Sequence, residues 1–256
     1  MDFQWLNAQA EELNRALTGH HLVFPELQPV PYQAEIPADL ATVIDHTLLR
    51  PEATYEQVKL ELELARGYRF ASVCLHPRYV SLAADLLSGT GIKVCTVIGF
   101  PLGSNTTLTK VYETRDALAD GADELDMVLP LGALKSGDYY SVYEDIAAVK
   151  AAAGNRVVKV ILETPLLTDA EIVKASLLAK AAGADFVKTA TGFAGGGATI
   201  KAVELMRQAV GLDCGVKASG GIRDRSAVIA LLKAGANRIG TSVGVAIANM
   251  SAGEEQ

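Results

Sequence analysis

Four stretches of the chain repeat one phrase. LELARGYRFASVCL, ALADGADELDMVL, LAKAAGADFVKTA and LLKAGANRIGTSV each run from an Ala- and Leu-rich helical pattern through glycine into an apolar strand. Glycine past the end of a helix admits the left-handed turn that leads into the next strand. Extending the count predicts strands near Val43–His46, Ser72–His76, Lys93–Gly99, Glu124–Leu129, Val157–Leu162, Phe186–Ala190, Gly215–Ser219 and Arg238–Ser242. Helical patterns such as YEQVKLELELARG and DYYSVYEDIAAVKAAAG fill the gaps. Strands apolar on both faces, alternating with helices, predict an α/β fold with a parallel sheet closed into a (β/α)8 TIM barrel. An open doubly wound sheet would place G-x-G-x-x-G after its first strand, and IDHTLLRPEAT has no such turn.

Residues 1–38 stand outside this pattern and are expected to form an N-terminal helix and linker, with the barrel catalytic domain over 39–256. Leu6, Leu13 and Leu17 recur at near-helical spacing, Gly19 stops the helix, and Pro25, Pro29, Pro31 and Pro37 keep the following stretch extended. Packing on the barrel, packing on a second subunit and a poorly ordered leader are all open to such a segment, and the exposed barrel faces leave room for a homodimer.

A net charge of -7, without basic runs, argues against a nucleic-acid or anionic-membrane surface. Cys74, Cys95 and Cys214 lie singly in apolar text, the pattern of buried reduced thiols. The opening MDFQWLNAQAEELNRALTG lacks the order of a signal peptide, and no apolar run approaches the ~18 residues of a membrane span. A cytoplasmic protein is expected.

Reactive residues of such barrels gather at the C-terminal ends of the strands. The charged residues in the strand text are Asp45, Lys93, Glu124, Asp126, Lys159, Glu163, Lys188, Lys217 and Arg238. Lys188 and Lys217 fall on the sixth and seventh strands at comparable height. Two ammonium groups aimed into one barrel mouth repel, and burial penalises their charge; both effects favour a free amine able to attack a carbonyl and form a Schiff base. A structural ion pair, or a stem snorkelling between helices, is the other use of a strand lysine. Lys93 and Arg238 are expected to be solvated or structural. His46 and His76 end the first two strands without a third metal ligand and are expected at the rim, so no metal is predicted. GFAGGGAT, SGGI and GTSVG follow the sixth, seventh and eighth strands, where backbone N–H groups of such barrels hold phosphate. Ser219 or Ser242 could add a hydroxyl. A small phosphorylated substrate is expected.

FVKTATGF, GVKASGGIR, ELDMVLPLGALKSGD, VIGFPLGSNTT and IDHTLLRPEAT, taken together, resemble the deoxyribose-phosphate aldolase family of class I aldolases over roughly Leu40 to Met250. The resemblance implies reversible cleavage of 2-deoxy-D-ribose 5-phosphate to D-glyceraldehyde 3-phosphate and acetaldehyde, in deoxyribonucleotide catabolism and without a cofactor. It implies Lys188 as the Schiff-base lysine, Lys217 as the lysine that keeps it deprotonated, Asp126 as proton relay and Lys159 as support for the polar network. It places Asp45, Thr47, Cys74 and Thr191 at substrate-binding positions, and Gly192, Gly220, Gly221, Gly240 and Ser242 around the phosphate. Ala190 replaces the Ser common in KTSTG, AGGGAT replaces STGGAT, and Pro165 stands where a small residue or cysteine is usual. The tail NMSAGEEQ lacks the C-terminal tyrosine that some members close over the substrate. The rival readings are another Schiff-base sugar-phosphate aldolase or transaldolase-like barrel enzyme, and a non-catalytic sugar-phosphate binder.

Overall fold

The computed structural model describes residues Met1–Asn249; the tail after Asn249 lies outside the described residues. Eight parallel strands close into a barrel in sequence order: β1 (Ile44–Leu48), β2 (Ser72–Leu75), β3 (Lys93–Ile98), β4 (Glu124–Val128), β5 (Val157–Ile161), β6 (Phe186–Lys188), β7 (Gly215–Ser219) and β8 (Arg238–Thr241). The first and last strands pair, His46 opposite Thr241, which completes the ring.

Outside the barrel run α2 (Tyr55–Ala65), α3 (Val80–Leu86), α4 (Thr107–Ala119), α5 (Leu131–Lys135), α6 (Tyr139–Ala153), α7 (Asp169–Ala181), α8 (Ile200–Val210), α9 (Arg225–Ala234) and α10 (Gly244–Asn249), following an N-terminal α1 (Phe3–Ala16). Local chemistry sets their ends. Thr54 with Gln57, and Thr168 with Glu171, form reciprocal capping boxes at the starts of α2 and α7. The glycine closing the last repeat, Gly235, has φ of 126°, and a Cβ there would lie 2.7 Å from the Arg207 Cβ, so conformation and packing both require glycine.

Seven of the eight expected strands end one or more residues early or shift, because the chain leaves the ladder where it turns into the upper loops. β1 shows the largest shift: the Asp39 carboxylate accepts from the Ala41 N–H, drawing Leu40–Val43 into a 3-10 turn and moving the strand forward to Leu48. Only Gly215–Ser219 keeps both expected ends.

The N-terminal segment lies on the barrel. Leu6, Ala10 and Leu13 are buried as α1 packs on α7, and Lys174 reaches Glu12 at 2.6 Å. Two asparagines of α1 mimic backbone: Asn14 exchanges hydrogen bonds with Phe24 (2.9 and 2.8 Å) and Asn7 with Leu27 (3.3 and 2.6 Å). The strap then carries Tyr32 over the buried guanidinium of Arg207, 5.1 Å from the ring centre. No helix among the described residues is long and apolar enough to cross a membrane.

Candidate active site

The barrel interior should be apolar, yet Asp45, Glu124, Asp126, Lys159, Lys188 and Lys217 are all buried there. Strand alternation directs Glu124 and Asp126 inward together, and register sets Asp126 beside Lys159 and Lys188 beside Lys217. Burying such charges is costly unless each finds partners.

Asp126 is the hub. Its Oδ1 accepts from Lys159 Nζ at 2.8 Å and the Cys95 thiol at 3.3 Å, and its Oδ2 accepts from both Lys188 Nζ and Lys217 Nζ at 2.7 Å. Beneath it, Asp45 Oδ2 lies 2.5 Å from Lys217 Nζ and 3.7 Å from Lys159 Nζ, while Asp45 Oδ1 accepts from Arg238 at 2.6 Å. Glu124 lies 2.7 Å from Lys159 Nζ and accepts from both terminal nitrogens of Arg238 at 3.2 and 3.3 Å.

Charge complementarity sets the protonation states. Burial opposes the charge of Asp126, but Lys159, Lys188 and Lys217 outweigh it and hold the carboxyl well below its usual range. Asp45 is likewise held low against burial by Lys217, Lys159 and Arg238. Burial works against the Lys217 cation too, yet Asp126 and Asp45 raise its affinity for the proton, and Asp126 leads the groups that do the same for Lys159. Lys188 and Lys217 thus converge on one carboxylate oxygen that lies against both, and Lys217 is a firmly held cation.

A cavity of about 480 Å³ opens above this cluster. Lys188 is the one lysine of the cluster that lines it, together with Thr47, Thr191 and the expected Gly192, Gly220, Gly221, Gly240 and Ser242. The loops after β6, β7 and β8 thus come together at one mouth. Gly197 makes their contact close: a Cβ there would lie 2.1 Å from the Gly220 carbonyl oxygen, and the Ala198 N–H donates to that same oxygen at 3.1 Å. Ser219 also lines the cavity, but its hydroxyl donates to the Ala190 carbonyl at 2.7 Å. Pro165, at a departure from the family pattern, lies against Gly196, whose added Cβ would meet the ring at 3.0 Å.

Two expected substrate positions lie elsewhere. Asp45 and Cys74 are fully buried and line no part of the cavity; their strands carry them below its floor, where Asp45 holds cations and Cys74 packs against Cys95. His46 is not at the rim either, since alternation turns it outward to stack on Phe70 and bond Glu61 at 2.9 Å. Arg238, expected as solvated or structural, is largely buried and belongs to the charged cluster; Lys93 is exposed. Cys74, Cys95 and Asp126 are the one metal-capable trio among the described residues, but the Lys159 ammonium lies 3.3 Å from the Cys95 sulfur and 2.8 Å from Asp126, and its charge opposes a cation there.

Glu163 was visible as a charge at the end of β5 without an assigned place. It adopts φ of 58°, a strained conformation for glutamate, and its buried carboxylate accepts from both the backbone N–H and the hydroxyl of Thr191. The Thr191 oxygen in turn accepts from the Phe193 N–H at 3.1 Å, which ties the β6 loop to the end of β5. Arg223, next to the SGGI glycines, lines the same mouth.

Comparison with known proteins finds relatives over most of the chain. Residues 39–249 match the model of the DeoC/LacD family aldolases. A Streptococcus suis deoxyribose-phosphate aldolase is 59% identical over 206 residues, covering 80% of this chain and 94% of that protein. A Coccidioides immitis crystal structure, provisionally described as a deoxyribose-phosphate aldolase, is 40% identical with a TM-score of 0.85 and covers 97% of both chains. The tetrameric deoxyribose phosphate aldolase of Aeropyrum pernix is 38% identical with a TM-score of 0.74, covering 82% of this chain and 89% of its own. The chain belongs to the DeoC/LacD family of aldolases.

Proposed function

We propose that the protein reversibly cleaves 2-deoxy-D-ribose 5-phosphate to D-glyceraldehyde 3-phosphate and acetaldehyde through a Schiff base on Lys188. The carrying observation is that Lys188 is the one amine of the buried charged cluster lining the cavity, with its nitrogen on the hub carboxylate Asp126. The names of the relatives supply the substrate.

The free amine of Lys188 adds to the C1 aldehyde of the open-chain sugar, and loss of water leaves an iminium. As the C2–C3 bond breaks, its electron pair flows into the iminium and the C3 hydroxyl gives up its proton, releasing D-glyceraldehyde 3-phosphate and leaving a neutral enamine. Protonation of that enamine at C2 regenerates the iminium, and water then releases acetaldehyde and the amine. Asp126, 2.7 Å from Lys188 Nζ, relays the protons by way of a water. Lys217 and Lys159 hold Asp126 ionised and in place. Thr47 and Thr191 face the sugar from the cavity wall.

Gly192, Gly220, Gly221, Gly240 and Ser242 receive the phosphate at the mouth, with Arg223 adding positive charge there. Asp45 and Cys74 act from below the floor, without touching the sugar. Residues 1–38 form an ordered cover on the α7 side of the 39–256 catalytic barrel, and the protein works in the cytoplasm in deoxyribonucleotide catabolism.

Turnover of 2-deoxy-D-ribose 5-phosphate tests the reading, with acetaldehyde and the triose phosphate measured separately. Equal amounts of both products, with loss of turnover by at least about 1,000-fold in Lys188→Met, are expected. Stoichiometric binding without product, or unchanged turnover in Lys188→Met, would reject it.

A further inference from the structure

The charged side chains below the cavity do not balance. Lys159, Lys188, Lys217 and Arg238 bring four positive charges, whereas Asp45, Glu124 and Asp126 bring three negative ones. A surplus charge is costly inside a barrel, and releasing one ammonium proton removes it. The guanidinium cannot be the source, because arginine keeps its proton. Among the lysines, Lys159 has Asp45, Glu124 and Asp126 around it, and Lys217 has Asp45 and Asp126. Lys188 has Asp126 alone, shares that oxygen with Lys217, and is the lysine in contact with the cavity, so its proton can pass to water there.

Arg238 creates the imbalance without lining the cavity. It faces Asp45 of β1 at 2.6 Å and Glu124 of β4 at 3.2 Å, lies over the Phe186 ring of β6 at 5.5 Å, and stands beside Lys217 of β7 in register; Lys159 of β5 shares both its carboxylates. The thiols of Cys74 and Cys95 complete the titratable groups of this interior.

We propose that Arg238 is a positioning residue whose permanent charge sets the proton count of the active site. By sharing Asp45 with Lys217 and Glu124 with Lys159 it leaves three carboxylates to serve four cations, and so frees the amine that faces the substrate. The inference rests on the reading of Lys188 as the reacting amine.

The test is the midpoint of the acid limb of kcat/KM against pH for cleavage of 2-deoxy-D-ribose 5-phosphate. Arg238→Met removes one positive charge, so the amine holds its proton more tightly and the midpoint moves up by about one pH unit, the effect of a nearby unit charge at an effective dielectric near 20. Glu124→Gln removes a negative charge and moves it down by about as much. The double variant restores the surplus and returns the midpoint to within about 0.3 unit of the parent. Arg238→Lys keeps the charge and the midpoint, whatever it does to thermal stability.

A purely structural role predicts lower activity with unmoved midpoints, and that result overturns the proposal. If Arg238→Met does not fold, Glu124→Gln decides alone: an unmoved or raised midpoint overturns the proposal. Borohydride trapping of the parent enzyme separates the two ideas, since an adduct on Lys188 alongside unmoved midpoints sinks only the role of Arg238.

Discussion

Replacing Gly197 with alanine perturbs the phosphate end of the cavity while leaving every charged group intact. The new Cβ would stand 2.1 Å from the Gly220 carbonyl oxygen and 2.4 Å from its carbon. Ordinary contact begins near 3.4 Å, so the overlap is about 1.3 Å, and both neighbours are backbone that no rotamer change can clear. The β6 and β7 loops must part by about that distance, and the Ala198 to Gly220 hydrogen bond is lost. Strain of about 1–3 kcal/mol is expected in stability. A displacement near 1 Å in a positioning element costs up to about 100-fold in rate. kcat/KM for 2-deoxy-D-ribose 5-phosphate should therefore fall about 10- to 100-fold, whereas unphosphorylated 2-deoxy-D-ribose should lose no more than about threefold. The assay is the ratio of the two kcat/KM values in parent and variant. A variant with both values within twofold of the parent, or with equal losses on both substrates, refutes the assignment of these loops to phosphate.

Two further perturbations follow from the buried network. Asp45 and Asp126 have proton affinities below their unfolded values near 3.9, so the stability they contribute is present above about pH 4 and lost as pH falls through the lower folded values. Lys159 and Lys217 have theirs raised above about 10.4, so their contribution is full below that pH and lost as pH climbs through the raised values. Urea midpoints should fall on both sides of a plateau between about pH 5 and 9, and a midpoint that rises from pH 5 to 3 contradicts the pairing. Glu163→Ala should free Thr191 and raise KM about tenfold, while Glu163→Gln, which keeps an acceptor, recovers most of the loss; steady-state kinetics equal to the parent in Glu163→Ala would show that this carboxylate does not hold the β6 loop.

The barrel was legible because its units repeat, and each ends where glycine turns helix into strand. The strand interiors showed as apolar runs, with Lys188, Lys217 and Asp126 conspicuous among them. Strand ends were less legible: the Asp39 cap that moves β1 forward is a side-chain contact of a kind that apolar runs do not carry. The pairing of the charges was hidden for a related reason. Lys217 meets Asp126 across 91 residues of sequence, and Arg238 meets Glu124 across 114, so alternation reveals which side chains face inward but not which carboxylate each amine reaches. Hence the carboxylate that the two lysines share went unread, and Asp45 read as a substrate-binding position. Thr47, Thr191 and the loop glycines were easier, since the upper end of a barrel strand already specifies the cavity wall.

Borohydride reduction in the presence of acetaldehyde, followed by peptide mapping, tests the central claim most directly. The account predicts one covalent adduct, on the peptide carrying Lys188, that vanishes in Lys188→Met. An adduct on Lys217 or Lys159, or none on any lysine while turnover proceeds, would contradict it.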